Sequence, residues 1–522
     1  MIAFGRLLER LAFTPSRNGR LAHLATYFRA TADPDRGFAL AALAGTLALR
    51  SAKPGLLRGL AAARTDPELF ALSYEFVGDL AETVALLWPA PSDPAAAPPR
   101  LAEIIAGLGA TPPAELPALL AGWLDRFDPG TRLALLKLVT GGLRVGISAR
   151  LAHLALAAAF GVAPEAIAEV WHALEPPYLP LFAWLEGTAP RPDPADTPHF
   201  RPPMLAHPLE AADAAALDWS AYRAEWKWDG IRVQLVATRT GRRLFSRGAE
   251  DISAAFPEIL AAMEFAAVLD GELLIRRGTE IAPFATLQRR LNRKSPGAKL
   301  LAEAPAHVRL YDILFDGSED LRPLPFDARR ARLEALLARE RPAAMDLSPL
   351  IAFQDGSELA ALRAGARAAG IEGLMLKHGA SPYLAGRARG PWWKWKRDPL
   401  AIDAVLMYAE RGHGRRSGFY SDFTFGLWRA DGELVPVGKS YSGYTDAELR
   451  LLDRFVRTHT TARFGPVHEV EKSLVLEIGF DSAQRSTRHK SGVALRFPRI
   501  LRLRPDKPAA EADRLDALTA IL

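Results

Sequence analysis

The first 186 or so residues repeat apolar positions three and four apart, as in Leu40, Leu43, Ala44 and Leu47, and again in Leu119, Leu120, Trp123, Leu124 and Phe127. That period lays one stripe of side chains along a helix. Prolines cluster at 89–99 and 112–117 and mark breaks between helices. An all-helical region is predicted. Residues 187–203 (GTAPRPDPADTPHFRPP) are dense in proline and poor in aliphatics, which suits a linker or an extended crossing segment. From residue 204 the pattern shortens. β-like runs at 222–228, 231–236, 243–248, 267–275, 308–315, 372–377 and 392–396 are interleaved with helical stretches such as 256–263. Asp229-Gly230, between the first two runs, predicts a tight hairpin turn with positive φ values. In Trp392-Trp393-Lys394-Trp395-Lys396 the alternation puts both lysines on one face of a strand. Further runs at 401–408, 423–428, 434–439, 473–480 and 496–503 have the spacing of a small antiparallel barrel, followed by a short amphipathic helix.

Length and composition sharpen this picture only in places. A chain of 522 residues is too long for one core, and at about 150 residues per domain it suggests three. Hydrophobic content of 49% with 24% charged residues is that of a globular protein. The chain has no cysteine, which excludes disulfides, thiolate zinc sites and cysteine nucleophiles, and fits a reducing, cytoplasmic setting. Arg6, Glu9 and Arg10 interrupt the first 13 residues, so no secretory apolar segment is expected there. The apolar run 151–162 contains His153 and is too short to span a bilayer.

Net charge is +6, and it is unevenly spread. Residues 1–200 hold 17 basic against 19 acidic residues, and the remainder 49 against 41. A basic carboxy-terminal part suits a polyanion such as nucleic acid, although scattered surface arginines would give the same balance.

The chemistry centres on Glu225-Trp226-Lys227-Trp228-Asp229-Gly230-Ile231-Arg232. A lysine walled by tryptophans is oriented, and a deprotonated lysine amine is a nucleophile. Alone it is weak evidence, since strand lysines commonly extend along apolar surface and alternating Lys and Trp can form a structural cation–π ladder. Asp270-Gly271-Glu272 sets two carboxylates in an apolar strand. Glu272 and Glu372 are hard oxygen donors of the kind Mg²⁺ takes one or two at a time. In the helical region, Lys137, Gly141, Gly142 and Arg144 combine cations with glycines near a helix end. Such a stretch brings backbone amides close to phosphates or simply caps a helix.

In order, Lys227-x-Asp-Gly-x-Arg232, Ser246-Arg247-Gly248, Asp270-Gly-Glu272, Tyr311-Asp312, Glu372-Gly-x-x-x-Lys377 and Lys394-x-Lys396 resemble the motif series of the covalent nucleotidyltransferases. The run 496–507, from Arg496 to Lys507, resembles the last motif of eukaryotic-type ATP-dependent DNA ligases, and Pro203-Met-Leu-Ala-His-Pro208 their entry into the catalytic domain.

The resemblance implies a multidomain α+β protein: a helical DNA-binding domain at 1–195, an adenylation domain at 196–398 and an OB-fold barrel at 399–522. It implies ATP as cofactor with Mg²⁺, or Mn²⁺ in its place, and nicked duplex DNA as partner of a monomer. Lys227 would take AMP, pass it to the 5′-phosphate of a nick, and AMP would leave on attack by the 3′-hydroxyl. Glu225 would lie beside the adenine amino group and Tyr311 would stack on the ring. Arg232 and Arg247 would hold sugar and phosphate, and Lys377, Lys394 and Lys396 the α-phosphate. Glu272 and Glu372 would hold metal, and Arg504 and Lys507 would orient pyrophosphate.

Two alternatives use the same chain differently. An RNA ligase or capping-type enzyme would share the lysine, but leaves the long helical region and the 496–507 motif without a purpose. A non-catalytic DNA-binding homologue predicts gaps in the charged set, and Lys227, Glu272, Glu372, Lys394 and Lys396 are all present.

Overall fold

The computed structural model describes residues 1–47, 49, 52–89, 97–143, 146–193, 196–293, 295–366, 371–412, 418–487 and 489–522. The chain divides into two compact units. One holds residues 1–64 and 84–397, the other residues 65–83 and 398–522.

The amino-terminal region is helical, from Ile2–Phe13 to Leu179–Leu185. The first helix buries Phe4, Leu7, Leu8 and Leu11, the three- and four-residue spacing that makes a helix amphipathic. Helix starts are fixed by side chains that take orphan amides: Ser16 accepts from Gly19, Asp128 from Thr131 and Ser148 from Leu151. Within the first unit, helix Pro164–Trp171 ties this region to the residues beyond 199. Its Glu169 pairs with Arg322 at 2.5 Å, and His172 packs edge-on against Phe200.

Two sheets complete the same unit. In the first, the order is His207–Pro208, Trp392–Lys396, Gly373–His378, Tyr222–Lys227 and Leu350–Ile351. The second runs Arg242–Ser246, Ile231–Ala237, Ala267–Arg277, Ala306–Asp316 and Glu319–Asp320. One face of the second sheet carries Leu235, Leu269, Leu273, Val308 and Leu310 into a core with Phe256 and Leu333 from the helices. Its other face brings Val236, Val268 and Leu314 against Tyr383 and Trp392, so the two sheets meet through a second apolar cluster.

The expected hairpin at Asp229-Gly230 does not form. Tyr222–Lys227 and Ile231–Ala237 belong to different sheets, and the residues between them cross from one to the other. Gly230 is absent from the positive-φ glycines. Its requirement is space: a Cβ there would come within 2.5 Å of the Leu273 carbonyl oxygen and 2.8 Å of Glu272 Cγ. The glycine lets the crossing press against the Glu272 strand.

The second unit is built on Leu400–Arg411. This strand pairs with Tyr420–Trp428 on one side and with Val475–Phe480 and then Val467–Val470 on the other, all antiparallel. Bulges near Met407 and Glu410 let one long strand serve several partners. Phe423, Phe425, Leu427, Val435, Ile478 and Phe480 fill its core. The strand expected at 496–503 is broken, because Phe497 adopts φ 51; Val493–Arg496 and Arg499–Arg504 flank it. Helix Asp446–His459 was not foreseen, although Thr445 and Glu448 form a capping box with a sequence signature.

Candidate active site

Lys227 is the last residue of its strand. Gly373 stands opposite it in the neighbouring strand and, on its other side, opposite Lys396. A glycine is needed between them, since a Cβ at residue 373 would lie 2.3 Å from the Trp395 carbonyl oxygen. Both lysines converge on the preceding residue. Glu372 Oε2 is 2.5 Å from Lys227 Nζ and 3.5 Å from Lys396 Nζ, and the Glu372 amide donates to the Lys227 carbonyl at 2.9 Å.

Alternation decides which side chains share this wall. Glu225 and Lys227 are two apart on one strand, and Met375 and Lys394 pair across from Glu225 in register. Trp226, Trp393 and Trp395 go to the opposite face, into the cluster with Ala224, Leu374 and Leu376. Trp228, read from the sequence as a wall of Lys227, lies beyond the strand end instead. Its indole donates to Ser348 Oγ at 3.2 Å, and the Arg309 guanidinium sits 4.2 Å from its ring centre.

Glu225 is 2% exposed and doubly paired, with Lys377 Nζ at 2.5 Å and an Arg330 nitrogen at 3.1 Å. Burial pushes the carboxyl up and the Lys377 amine down, and their mutual attraction opposes both shifts. Rings of Tyr311, Phe326 and Trp392 lie 4.4–4.9 Å from the Lys377 ammonium, and the amine donates to the Tyr311 carbonyl. Lys377 thus shares the face of Glu225 and reaches Tyr311 of the other sheet.

The facing wall comes from the second sheet. Arg232 is paired directly across from Glu272. Its guanidinium donates to Asp270 Oδ2 at 2.5 Å, to the Tyr383 hydroxyl at 3.1 Å and to the Met204 carbonyl at 2.6 Å, and it lies 5.9 Å from the Tyr311 ring centre. Arg247 is exposed, close enough to Lys394 to act on it. Burial lowers the Lys394 amine, and the positive charges of Arg387, Lys396, Lys227 and Arg247 lower it further. Cations held this near one another call for an anion.

Glu272 is half-buried, and its carboxyl is raised to about 7, mainly by desolvation and also by the charge of Glu372, against the pull of Lys227. Raised above its ordinary value, the group costs stability once ionised. The penalty is absent below pH 4.5, grows as the pH rises toward 7 and is complete above it. At about 1.4 kcal/mol per unit this amounts to at most about 3.5 kcal/mol. Glu272→Gln is therefore expected to melt at higher temperature than the parent at pH 8 and at the same temperature at pH 4, both without nucleotide or metal; thermal melts at the two pH values check it.

The two carboxylates also bear on a metal. The charge of Glu372 raises the cost of ionising Glu272, which a divalent cation between them would offset. Among the described residues no group of three or more His, Asp or Glu side chains could hold a metal ion. The pair suits an ion that keeps water and phosphate oxygens as its other ligands, as Mg²⁺ does.

The remaining sequence candidates lie elsewhere. Arg504 and Lys507 belong to the second unit, where Asp403 Oδ2 is 3.0 Å from an Arg504 nitrogen and 2.7 Å from Lys507 Nζ, and Asp506 holds the other edge of Arg504. Lys137 is in the last turn of helix Pro129–Val139. Gly141 (φ 68) and Gly142 end that helix, with the Gly142 amide returning to the Lys137 carbonyl at 2.9 Å. This is a Schellman-type C-cap, at the negative end of the helix dipole, so the dipole adds no attraction for phosphate there. Arg144 lies outside the described residues.

Sequence reasoning missed Arg330, Tyr383 and Asp403. The first two sit in a helix and a loop with no motif spacing. Asp403 carried a signal, a lone acid in the apolar run 401–407.

Comparison with known proteins identifies the family. Residues 203–396 match the family described as ATP dependent DNA ligase domain, and residues 416–507 match the ATP dependent DNA ligase C terminal region. A probable DNA ligase of Koribacter versatilis is 32% identical, covering 97% of this chain and 94% of the relative. One of Anaeromyxobacter sp. is 34% identical, covering 98% and 96%. The solved structure named Pmar-Lig_PreS3 has the same fold, with a TM-score of 0.61 at 16% identity over 96% of this chain and 99% of that one. No helix among the described residues is long and apolar enough to cross a membrane. With two relatives above 30% identity matched over nearly their whole length and both family regions present in the chain, it belongs to the ATP-dependent DNA ligases.

Proposed function

We propose that Lys227 carries AMP from ATP to the 5′-phosphate of a DNA nick, which the 3′-hydroxyl then seals. One observation carries the assignment: Lys227 ends its strand amid Lys394, Lys396, Arg232, Glu272 and Glu372, the cations and carboxylates that in-line phosphoryl transfer needs. Glu372 fixes the direction of the amine before nucleotide arrives. Lys394 and Lys396 offset charge on the α-phosphate, and Arg247 and Arg232 hold phosphate and sugar. Tyr311 offers its ring to the adenine, and Asp270 with Tyr383 keeps Arg232 in place.

The burial of Glu225 and Lys377 supports a narrower part for them than direct grip on the nucleotide: they set the shape of the pocket that selects adenine. Glu272 and Glu372 would hold Mg²⁺, or Mn²⁺ in its place; when bound, the ion neutralises phosphate charge. Arg504 and Lys507 act on the leaving pyrophosphate.

The domain boundaries we favour are 1–195 for DNA binding, 196–398 for adenylation and 399–522 for an OB-fold. Lys137 and Arg144 are assigned to DNA phosphate contacts made by their side chains, with Gly141 and Gly142 as the helix cap between them. The enzyme works as a monomer in the cytoplasm.

A nick-sealing assay with separate ATP, GTP and NAD⁺ arms, on nicked DNA and nicked RNA, tests the reading. Sealing of nicked DNA with ATP alone is expected. Sealing confined to RNA, or driven by GTP, would favour the capping-type or RNA-ligase alternative.

A further inference from the structure

Asp403 lies outside every motif that marks the nucleotide site, yet it touches two of the residues assigned to it. It sits in Leu400–Arg411, and its Oδ2 accepts from Arg504 at 3.0 Å and from Lys507 at 2.7 Å. One oxygen shared by both cations keeps their nitrogens no more than about 6 Å apart, where their repulsion would otherwise splay them. Asp403 is itself fixed: its amide donates to Asp513 Oδ2 at 2.8 Å, and the Asp513 amide returns to the Asp403 carbonyl at 2.8 Å. Its side chain is 13% exposed, whereas those of Arg504 and Lys507 are 20% and 21% exposed.

The occupied donors still leave room for a ligand. Arg504 spends three N–H groups on Asp403 and Asp506, and a guanidinium has five; Lys507 spends one of three. Donors on both cations therefore remain for a ligand. Two adjacent cations with spare donors match an anion bearing adjacent phosphates.

We propose that Asp403 is a positioning residue for the adenylylation step, holding Arg504 and Lys507 together as one fork for the diphosphate leaving group. The proposal rests on the assignment of those two cations to the leaving pyrophosphate. In that step the Lys227 Nζ–P bond forms and the bond from the α-phosphorus to the bridging oxygen breaks. The electron pair departs on pyrophosphate, and the amine's proton passes to water. Charge grows on the bridging oxygen and the two phosphates behind it, where a preformed pair of cations lowers the barrier. AMP transfer to the nick and closure by the 3′-hydroxyl release no pyrophosphate and make no use of the fork.

The test separates the steps. Full-length Asp403→Asn, Asp403→Glu, Arg504→Ala and Lys507→Ala are assayed for self-adenylylation with ATP, for its reversal by added pyrophosphate, and for sealing of a nick supplied already adenylylated. Asp403→Asn is expected to slow self-adenylylation and its reversal by at least about tenfold, with sealing of the adenylylated nick unchanged and partial rescue in Asp403→Glu. In the double variant Asp403→Asn/Arg504→Ala the loss should not exceed that of Arg504→Ala alone. Equal losses in adenylylation and sealing would reduce Asp403 to a structural part and overturn the proposal. Normal adenylylation in Asp403→Asn beside a defect in Arg504→Ala would overturn it as well. Normal adenylylation in both Arg504→Ala and Lys507→Ala would instead remove the two cations from the leaving-group role, and the proposal with them.

Discussion

Lys227→Ala incubated with α-labelled ATP and a divalent cation is expected to retain no acid-labile label, where the parent protein becomes labelled in the same time. The reason is local. Lys227 and Lys396 both end strands beside Glu372, but the Lys227 amine is 2.5 Å from that carboxylate, and the Lys396 amine is 3.5 Å away and more exposed. Lys394 lies within the positive field of Arg387, Lys396 and Arg247, cations that together gather phosphate. With the covalent nucleophile removed, overall sealing should fall by several orders of magnitude. Sealing of a nick that already carries AMP should largely survive, because that substrate bypasses the lysine. Label persisting in Lys227→Ala would move the nucleophile elsewhere.

The second large effect is on stability. Lys377→Ala removes the nearer of two cations from Glu225, a carboxylate only 2% exposed. An uncompensated buried charge typically costs about 3–5 kcal/mol, and Arg330 at 3.1 Å keeps the expected loss near the lower end. Denaturant unfolding should show a lower midpoint with an unchanged slope. The double variant Glu225→Gln/Lys377→Met should be less destabilised than Lys377→Ala, because neither partner is then left charged and alone. Equal stability of Lys377→Ala and the parent would mean the pair contributes nothing to the wall. Lys377→Arg is not expected to restore the parent, since a planar guanidinium does not fit between three aromatic rings shaped around an ammonium.

Much of the site was legible in the chain, and the reasons differ residue by residue. The shared face of Lys394 and Lys396 followed from a two-residue period, which survives whatever the strand pairs with. The strands holding Glu272 and Tyr311 were marked by apolar runs long enough to be unambiguous. The crossing at Asp229-Gly230 was misread because a turn dipeptide is a local signal, whereas the choice of pairing partner is not. Gly230 is shaped by a backbone more than forty residues downstream. Gly141 and Gly142 show the reverse case, a stretch suited to phosphate by composition whose backbone completes a helix end. Arg330 acts through its contact with Glu225 and Tyr383 through contacts with Arg232 and Asp270, each across more than a hundred residues of sequence, a separation no spacing rule encodes.

Covalent bonding of AMP to Lys227 is the step on which the other roles depend. Peptide mass spectrometry of the protein after incubation with ATP and Mg²⁺, without DNA, detects that bond. One adenylyl group is expected, carried on the peptide containing Lys227 and lost when nicked DNA is added. An adenylyl group on any other residue, or none on a protein that still seals nicks with ATP, would contradict the assignment.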